Sequence, residues 1–213
     1  ATAMAWLSTF PGSRLVLLEK EPALAQHQTS HNSGVIHSGL YYRPGSFKAR
    51  TCVEGARLLV AFCEEHRIPH RLCGKLVIAA AEAELRLLDT LAERARANGV
   101  PGVALIGPER MRELEPHARG LRALHVPGAG VVDYAAVARA FAGVIRQRGG
   151  ELRPSARVTR MSRREGVFPG LGVTLLGTLP RDAGPQKRET DGAALRIRVG
   201  EVGHHQGVPR DMA

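Results

Sequence analysis

Residues 28–48 run Gln-Thr-Ser-His-Asn-Ser-Gly-Val-Ile-His-Ser-Gly-Leu-Tyr-Tyr-Arg-Pro-Gly-Ser-Phe-Lys, with His, Ser, Gly and Tyr at close spacing. An imidazole titrates near neutral pH and can take or give a proton during a reaction, so His37 is the candidate acid–base group. A purely hydrogen-bonding loop histidine is the competing reading. His27 and His31 could be imagined as partners in a metal site, but no carboxylate or cysteine stands at a ligating spacing, and no metal is expected. Ser33, Gly34, Val35, Ile36 and Ser38 read as a loop whose small residues let backbone amides approach a cofactor. A plain surface loop would not need Val-Ile between its glycines. Tyr41, Tyr42 and Arg43 offer two phenols and a guanidinium fork, groups that suit a substrate carboxylate. Two tyrosines packed under the loop, with the arginine outside, account for the same residues.

These groups need a scaffold, and the residues before them indicate one. Val16-Leu17-Leu18 reads as a strand that ends in Glu19. A carboxylate at a strand end, followed by a small-residue loop, is what a dinucleotide site requires, because the acid accepts hydrogen bonds from the adenosine ribose. That favours a non-phosphorylated adenosine end such as FAD or NAD. Lys20 is placed with the cofactor-contacting positions, a solvated lysine being the alternative. Counting back ~20 residues from Glu19 puts the glycine-rich phosphate loop before Ala1. Residues 1–7 then belong to the first helix, and Phe10-Pro11-Gly12-Ser13 is the turn into the strand.

The string His31-Asn32-Ser33-Gly34-Val35-Ile36-His37-Ser38-Gly39, with Tyr41-Tyr42 after it, resembles the signature of the L-2-hydroxyglutarate dehydrogenase (oxidase) family, FAD enzymes of the D-amino-acid-oxidase-like superfamily. The resemblance continues through Cys73-Gly74-Lys75-Leu76 and Gly130-Val131-Val132-Asp133-Tyr134 and spans residues 11–167. It implies FAD as cofactor, oxidation of L-2-hydroxyglutarate to 2-oxoglutarate by hydride transfer, and a quinone-type electron acceptor. Peripheral membrane association is among the partners it implies. It also implies that residues 33–38 run beside the flavin, that His37 takes the hydroxyl proton, and that Val158 lies where the superfamily sets backbone against adenine. Glycerol-3-phosphate dehydrogenase and amine oxidase types of the same superfamily are the alternatives, as is a catalytically inactive partial product. Eukaryotic members of the family are mitochondrial and bacterial members work in the cytoplasm or at the inner face of its membrane; the mitochondrial setting is preferred.

Bulk properties narrow the classes. The net charge of +10 raises nucleic acid as a partner, but the basic residues are dispersed, one denser group being Arg146, Arg148, Arg153, Arg157, Arg160, Arg163 and Arg164. Aromatic residues are 4%, too few for stacking platforms, so no nucleic-acid role is expected. A positive field also steers an anionic dicarboxylate. Cys52, Cys63 and Cys73 form no CxxC and read as structural thiols in a reducing compartment. No apolar run approaches the ~20 residues of a membrane span. Residues 1–10 lack the positive flank of a signal peptide.

Periodicity supplies the remaining elements. Helices are expected over 48–66 with Ser46 as N-cap, over 82–98, over 108–114 with proline first, and over 134–148 capped by Asp133. Strands are expected over 75–80, 122–126, 130–132 and 151–161. The fold class is α/β: a partial Rossmann-type FAD-binding domain with an inserted α+β portion of a substrate domain. The FAD-binding domain, with helices on a mostly parallel sheet, takes residues 1–74 and 133–174 and lacks the N-terminal glycine-rich loop. Residues 75–132 are the substrate-domain portion. Periodicity fades from Pro169, and residues 175–213 are expected to be an atypical, poorly ordered tail of unrelated origin, with 173–176 and 195–199 as short strand-like pieces.

Overall fold

The computed structural model describes residues 1–164 and 167–175, with side chains through residue 159; the tail expected beyond 175 lies outside the described residues. In chain order the elements are α1 (Thr2–Thr9), β1 (Val16–Leu18), β2 (Val35–Ile36), α2 (Phe47–Glu65), β3 (His70–Arg71), β4 (Lys75–Ala79), α3 (Glu82–Ala97), β5 (Ala104–Ile106), α4 (Pro108–Leu114), β6 (Arg122–Val126), β7 (Gly130–Val132), α5 (Tyr134–Gln147), β8 (Glu151–Arg153), β9 (Ala156–Arg164) and β10 (Val167–Leu175).

The helix signals act as expected. Ser46 caps α2, its hydroxyl accepting from the Ala49 amide at 3.2 Å. Asp133 Oδ1 accepts from the Ala135 amide at 2.8 Å and opens α5. Pro108 occupies the start of α4, where its missing N–H costs no helical hydrogen bond. Glu84 Oε2 receives the amides of Ala80 and Ala81 ahead of α3, at 2.7 and 3.2 Å. Helix α3 buries Leu88, Leu91, Ala92 and Ala95, the 3.6-residue stripe that drives its packing.

The strands depart from expectation in three ways. The run 151–161 is two strands, because Pro154 has no N–H for a ladder and Ser155 turns the chain at φ 54°. Strand β2 occupies a segment read as loop, and the short strands β3 and β5 fall where no element is expected. Among the described residues only β1 and β8 pair in parallel, Val16 opposite Glu151 through Leu18 opposite Arg153, whereas the other pairings are antiparallel. The expected mostly parallel sheet is therefore represented by one pair.

The described residues divide into two compact units, residues 1–24 with those from 142 onward, and residues 25–141. In the first, β1 and β8 pair, and buried Leu7 and Ile145 line the approach to Gly150: a Cβ there would fall 2.6 Å from Ile145 Cγ2 and 3.0 Å from Leu7 Cδ1. The second unit holds the sheets β2-β7-β3 and β4-β6-β5. Its main core joins α3 to β6: Leu88, Leu91, Leu124 and Val126 pack with Ala129 and with Leu40, which is 1% exposed. Each such leucine contributes about 1.5–3 kcal/mol through burial. Leu40 matters most for function, because it ties the loop after β2 into this core.

Candidate active site

Within residues 25–141, the turn that follows β2 and the start of β4 enclose a cavity of about 220 Å³. Val35, His37, Ser38, Gly39, Tyr41, Tyr42 and Lys75 line it. Five of the sequence-derived candidates, Val35, His37, Ser38, Tyr41 and Tyr42, thus meet in one place. Arg43 is exposed on the same loop and is not among the lining residues.

The loop is held by its backbone. Gly39 sits at φ 87°, and a Cβ there would fall 2.9 Å from Val53 Cγ2, so both the turn and the close approach to α2 call for glycine. Leu40 is buried. From the end of α3, the Asn98 side-chain amide donates to the carbonyls of Gly39 and Tyr42 at 3.0 and 2.9 Å. Arg94 Nη1 donates to the Tyr41 carbonyl at 3.1 Å. Neither residue stands out in the sequence, since these contacts join positions 53 to 59 apart.

Lys75 also carries no signal of its own in the sequence, although it lies in the Cys73-Gly74-Lys75-Leu76 string. Its Nζ donates to the Tyr41 hydroxyl at 2.7 Å and lies 4.3 Å from the centre of that ring. Because an ammonium has no lone pair, the tyrosine oxygen must be the acceptor, which leaves the phenolic hydrogen available to another group. The lining contains no carboxylate.

Upstream, Asn32-Ser33-Gly34 lies along β7. The Gly34 amide donates to Asn32 Oδ1 at 2.7 Å, and the Gly34 carbonyl accepts from the Val132 amide at 2.8 Å. Gly34 has φ 67°, and a Cβ would stand 2.9 Å from the Val132 carbonyl oxygen. Ser33 is exposed and Ile36 is buried, so Ile36 presents backbone rather than side chain. Tyr134 donates to the Val35 carbonyl at 3.0 Å. Burial pushes the Tyr134 phenol above its ordinary range, with the nearby thiols Cys52 and Cys63 adding to the effect. Burial likewise raises Cys52, whose Sγ lies 3.6 Å from the His37 carbonyl oxygen. Among the described residues no group of three or more His, Cys, Asp or Glu is arranged to hold a metal ion.

In the other unit, Glu19 follows β1. Its amide donates to the Arg153 carbonyl at 3.0 Å, and its carbonyl accepts from Ala156 at 2.7 Å. Glu19 Oε1 takes the Glu21 amide at 2.9 Å. Among the described residues Oε2 has no protein partner, so a half-buried carboxylate oxygen stands ready at the carboxyl end of a parallel strand. Lys20 is exposed and pairs with Glu21 at 3.4 Å. Val158 is exposed on β9, opposite Val173.

A family model described as FAD dependent oxidoreductase matches residues 1–184. The chain belongs to the FAD dependent oxidoreductase family. Curated relatives include the mitochondrial L-2-hydroxyglutarate dehydrogenases of Nematostella vectensis, 43% identical over 159 residues, and of Homo sapiens, 46% over 152. These alignments cover 75% and 71% of this chain but 35% and 33% of those proteins, so the chain spans about a third of their length. The L-2-hydroxyglutarate dehydrogenase of Escherichia coli is 44% identical over 162 residues, 76% of this chain and 38% of that one. The fold agrees with FAD-bound L-alpha-glycerophosphate oxidase from Mycoplasma pneumoniae, at TM-score 0.70 and 24% identity over 80% of this chain and 45% of that one. Glycine oxidase from Geobacillus kaustophilus gives TM-score 0.67 and 22% identity over 81% and 47%. The α/β fold class and the flavoenzyme family read from residues 28–48 therefore hold. For the cofactor itself the chemistry of Glu19 fits: an acceptor oxygen at a strand end is what an adenosine ribose needs.

Proposed function

We propose that this chain carries the flavin-side and substrate-side residues of an enzyme that oxidises L-2-hydroxyglutarate to 2-oxoglutarate. One observation carries the reading: His37, Tyr41 and Tyr42 share a cavity that contains a cation and no carboxylate, in a chain 43–47% identical to L-2-hydroxyglutarate dehydrogenases. In domain terms, 1–74 with 133–174 is the cofactor domain and 75–132 the substrate-domain portion. FAD, when bound, supplies the two-electron acceptor for the hydride at C2.

The chain's own residues do the rest. Glu19 accepts the ribose hydroxyls through Oε2, and Lys20 and Val158 complete the adenosine side. Ser33, Gly34, Val35, Ile36 and Ser38 present backbone and small side chains to the cofactor. His37 takes the C2-hydroxyl proton on a ring nitrogen as the hydride leaves. Tyr41 and Tyr42 donate hydrogen bonds to substrate carboxylate, and Arg43 meets the dianion as it approaches. Electrons leave to a quinone-type acceptor. Mitochondrial relatives support a mitochondrial setting if the source is eukaryotic, and bacterial relatives a cytoplasmic or membrane-surface one otherwise. No helix among the described residues is long and apolar enough to cross a membrane, and peripheral association with a membrane belongs to this reading.

The test is direct. The purified chain is mixed with FAD, freed of excess flavin, and given L-2-hydroxyglutarate without oxygen. Retained flavin whose visible absorbance bleaches supports the proposal. Retained flavin that stays oxidised with this substrate, yet bleaches with glycerol 3-phosphate or an amino acid, moves the chain to another branch of the family.

A further inference from the structure

We infer that Lys75 is the specificity-determining residue for a second carboxylate, the group that separates a dicarboxylate from an ordinary 2-hydroxy acid. The inference rests on the proposed function and goes beyond it by assigning a ligand group to a residue. Three observations lead to it.

First, Lys75 lines the cavity yet has no acidic partner among the described residues; its hydrogen bond goes to the neutral hydroxyl of Tyr41 at 2.7 Å. An ammonium has three donors, and this bond uses one. Second, the tyrosine oxygen accepts from Lys75, so the phenolic hydrogen is left to donate. Ammonium and phenol together offer two donors side by side, which match the two oxygens of one carboxylate. Third, Lys75 and His37 come from different supports. Lys75 opens β4 in the sheet β4-β6-β5, whereas His37 follows β2 in the sheet β2-β7-β3. The proton-accepting group and the cation therefore enter the cavity independently, as a ligand with its reacting carbon at one end and a charge at the other requires. The Tyr41 ring beneath the ammonium keeps the cation in place when no ligand is bound.

The experiment uses the full chain with FAD supplied and compares two ligands by calorimetric titration. L-2-Hydroxyglutarate has both carboxylates; L-2-hydroxybutyrate keeps the C1 carboxylate and C2 hydroxyl and lacks the second. Lys75→Met preserves the length and apolar stem, and Lys75→Arg restores a cation. The expected result is a dissociation constant for L-2-hydroxyglutarate raised about tenfold or more in K75M, with L-2-hydroxybutyrate changed by about twofold or less. K75R recovers most of the preference. An equal loss for both ligands in K75M overturns the assignment, since it would mark a structural role or the C1 carboxylate. A wild-type preference for the dicarboxylate that K75M leaves intact overturns Lys75 alone. A wild-type chain that binds neither ligand overturns the proposed function together with the inference.

Discussion

Tyr134 donates its hydroxyl hydrogen to the Val35 carbonyl at 3.0 Å, joining positions 99 apart. Strand β2 is two residues long and leads straight into His37, so its ladder to β7 alone is a weak support. The phenol adds a tether from the first residue of α5. It serves as a donor only while protonated, and its burial keeps it so over a wider pH range than a free tyrosine.

The sign of the pH effect follows. A phenol whose acidity is weakened in the fold contributes stability that is fully present below the unfolded-state value, about 10. That contribution is lost as pH rises through the higher folded-state value. Tyr134→Phe should cost about 1 kcal/mol at neutral pH. It should also flatten the fall in melting temperature above about pH 10. Thermal denaturation of both proteins across that range checks the prediction.

Asn98 holds two carbonyls of the tyrosine loop with one amide nitrogen. Asn98→Ala should lower stability by about 1–3 kcal/mol and weaken L-2-hydroxyglutarate binding several-fold, because the loop that carries Tyr41 and Tyr42 loses its anchors at the Gly39 and Tyr42 carbonyls. Asn98→Asp should be worse, since an ionised carboxylate is an acceptor only and would face two more acceptors. Urea midpoints, read with a ligand titration on each variant, separate the two effects.

His37→Gln removes the imidazole proposed to accept the proton and leaves a hydrogen-bonding side chain. Anaerobic flavin reduction should slow by about 10²–10⁴-fold. Substrate affinity should hold to within a few-fold. Stopped-flow absorbance with substrate varied gives both numbers, and affinity falling in step with rate would make His37 a binding group instead.

Glu19→Ala should weaken FAD retention by about 1.5–3 kcal/mol, the worth of hydrogen bonds to a charged acceptor. The variant also releases the Glu21 amide held at 2.9 Å, so Glu19→Gln, which keeps an acceptor oxygen there, is the control. Flavin fluorescence titration measures the loss. A Glu19→Ala chain that binds FAD as tightly as wild type would sink the ribose assignment.

Long periodic segments are legible in the order of the amino acids alone. The stripe of α3, the proline that opens α4, and the caps Ser46 and Asp133 each have a local cause, and local causes survive folding. Strands β2, β3 and β5 are two or three residues long, too short to display an alternation. They exist because neighbours distant in sequence supply the partner. Pro154 is a local signal for the break in the run 151–161, since it removes a ladder donor. His37, Tyr41 and Tyr42 are visible by residue type and spacing. Lys75 is not, because its meaning comes from a tyrosine 34 positions earlier. Arg94 and Asn98 read as the polar end of a helix and reveal their work only through the carbonyls they hold.

Lys75 stands opposite Val126 at one end of the β4–β6 ladder, a pairing that runs without interruption to Ala79 opposite Arg122. Successive side chains on a strand face opposite ways, so a slip of one position turns every residue over. If a codon lost or gained between β3 and β4 shifted this register by one, the ammonium would turn out of the cavity and Gly74 or Leu76 would take its place. Ligand preference could change with no cavity-lining residue altered. In this part of the chain the length of a short connector is inherited information, as selectable as the amino acids it joins.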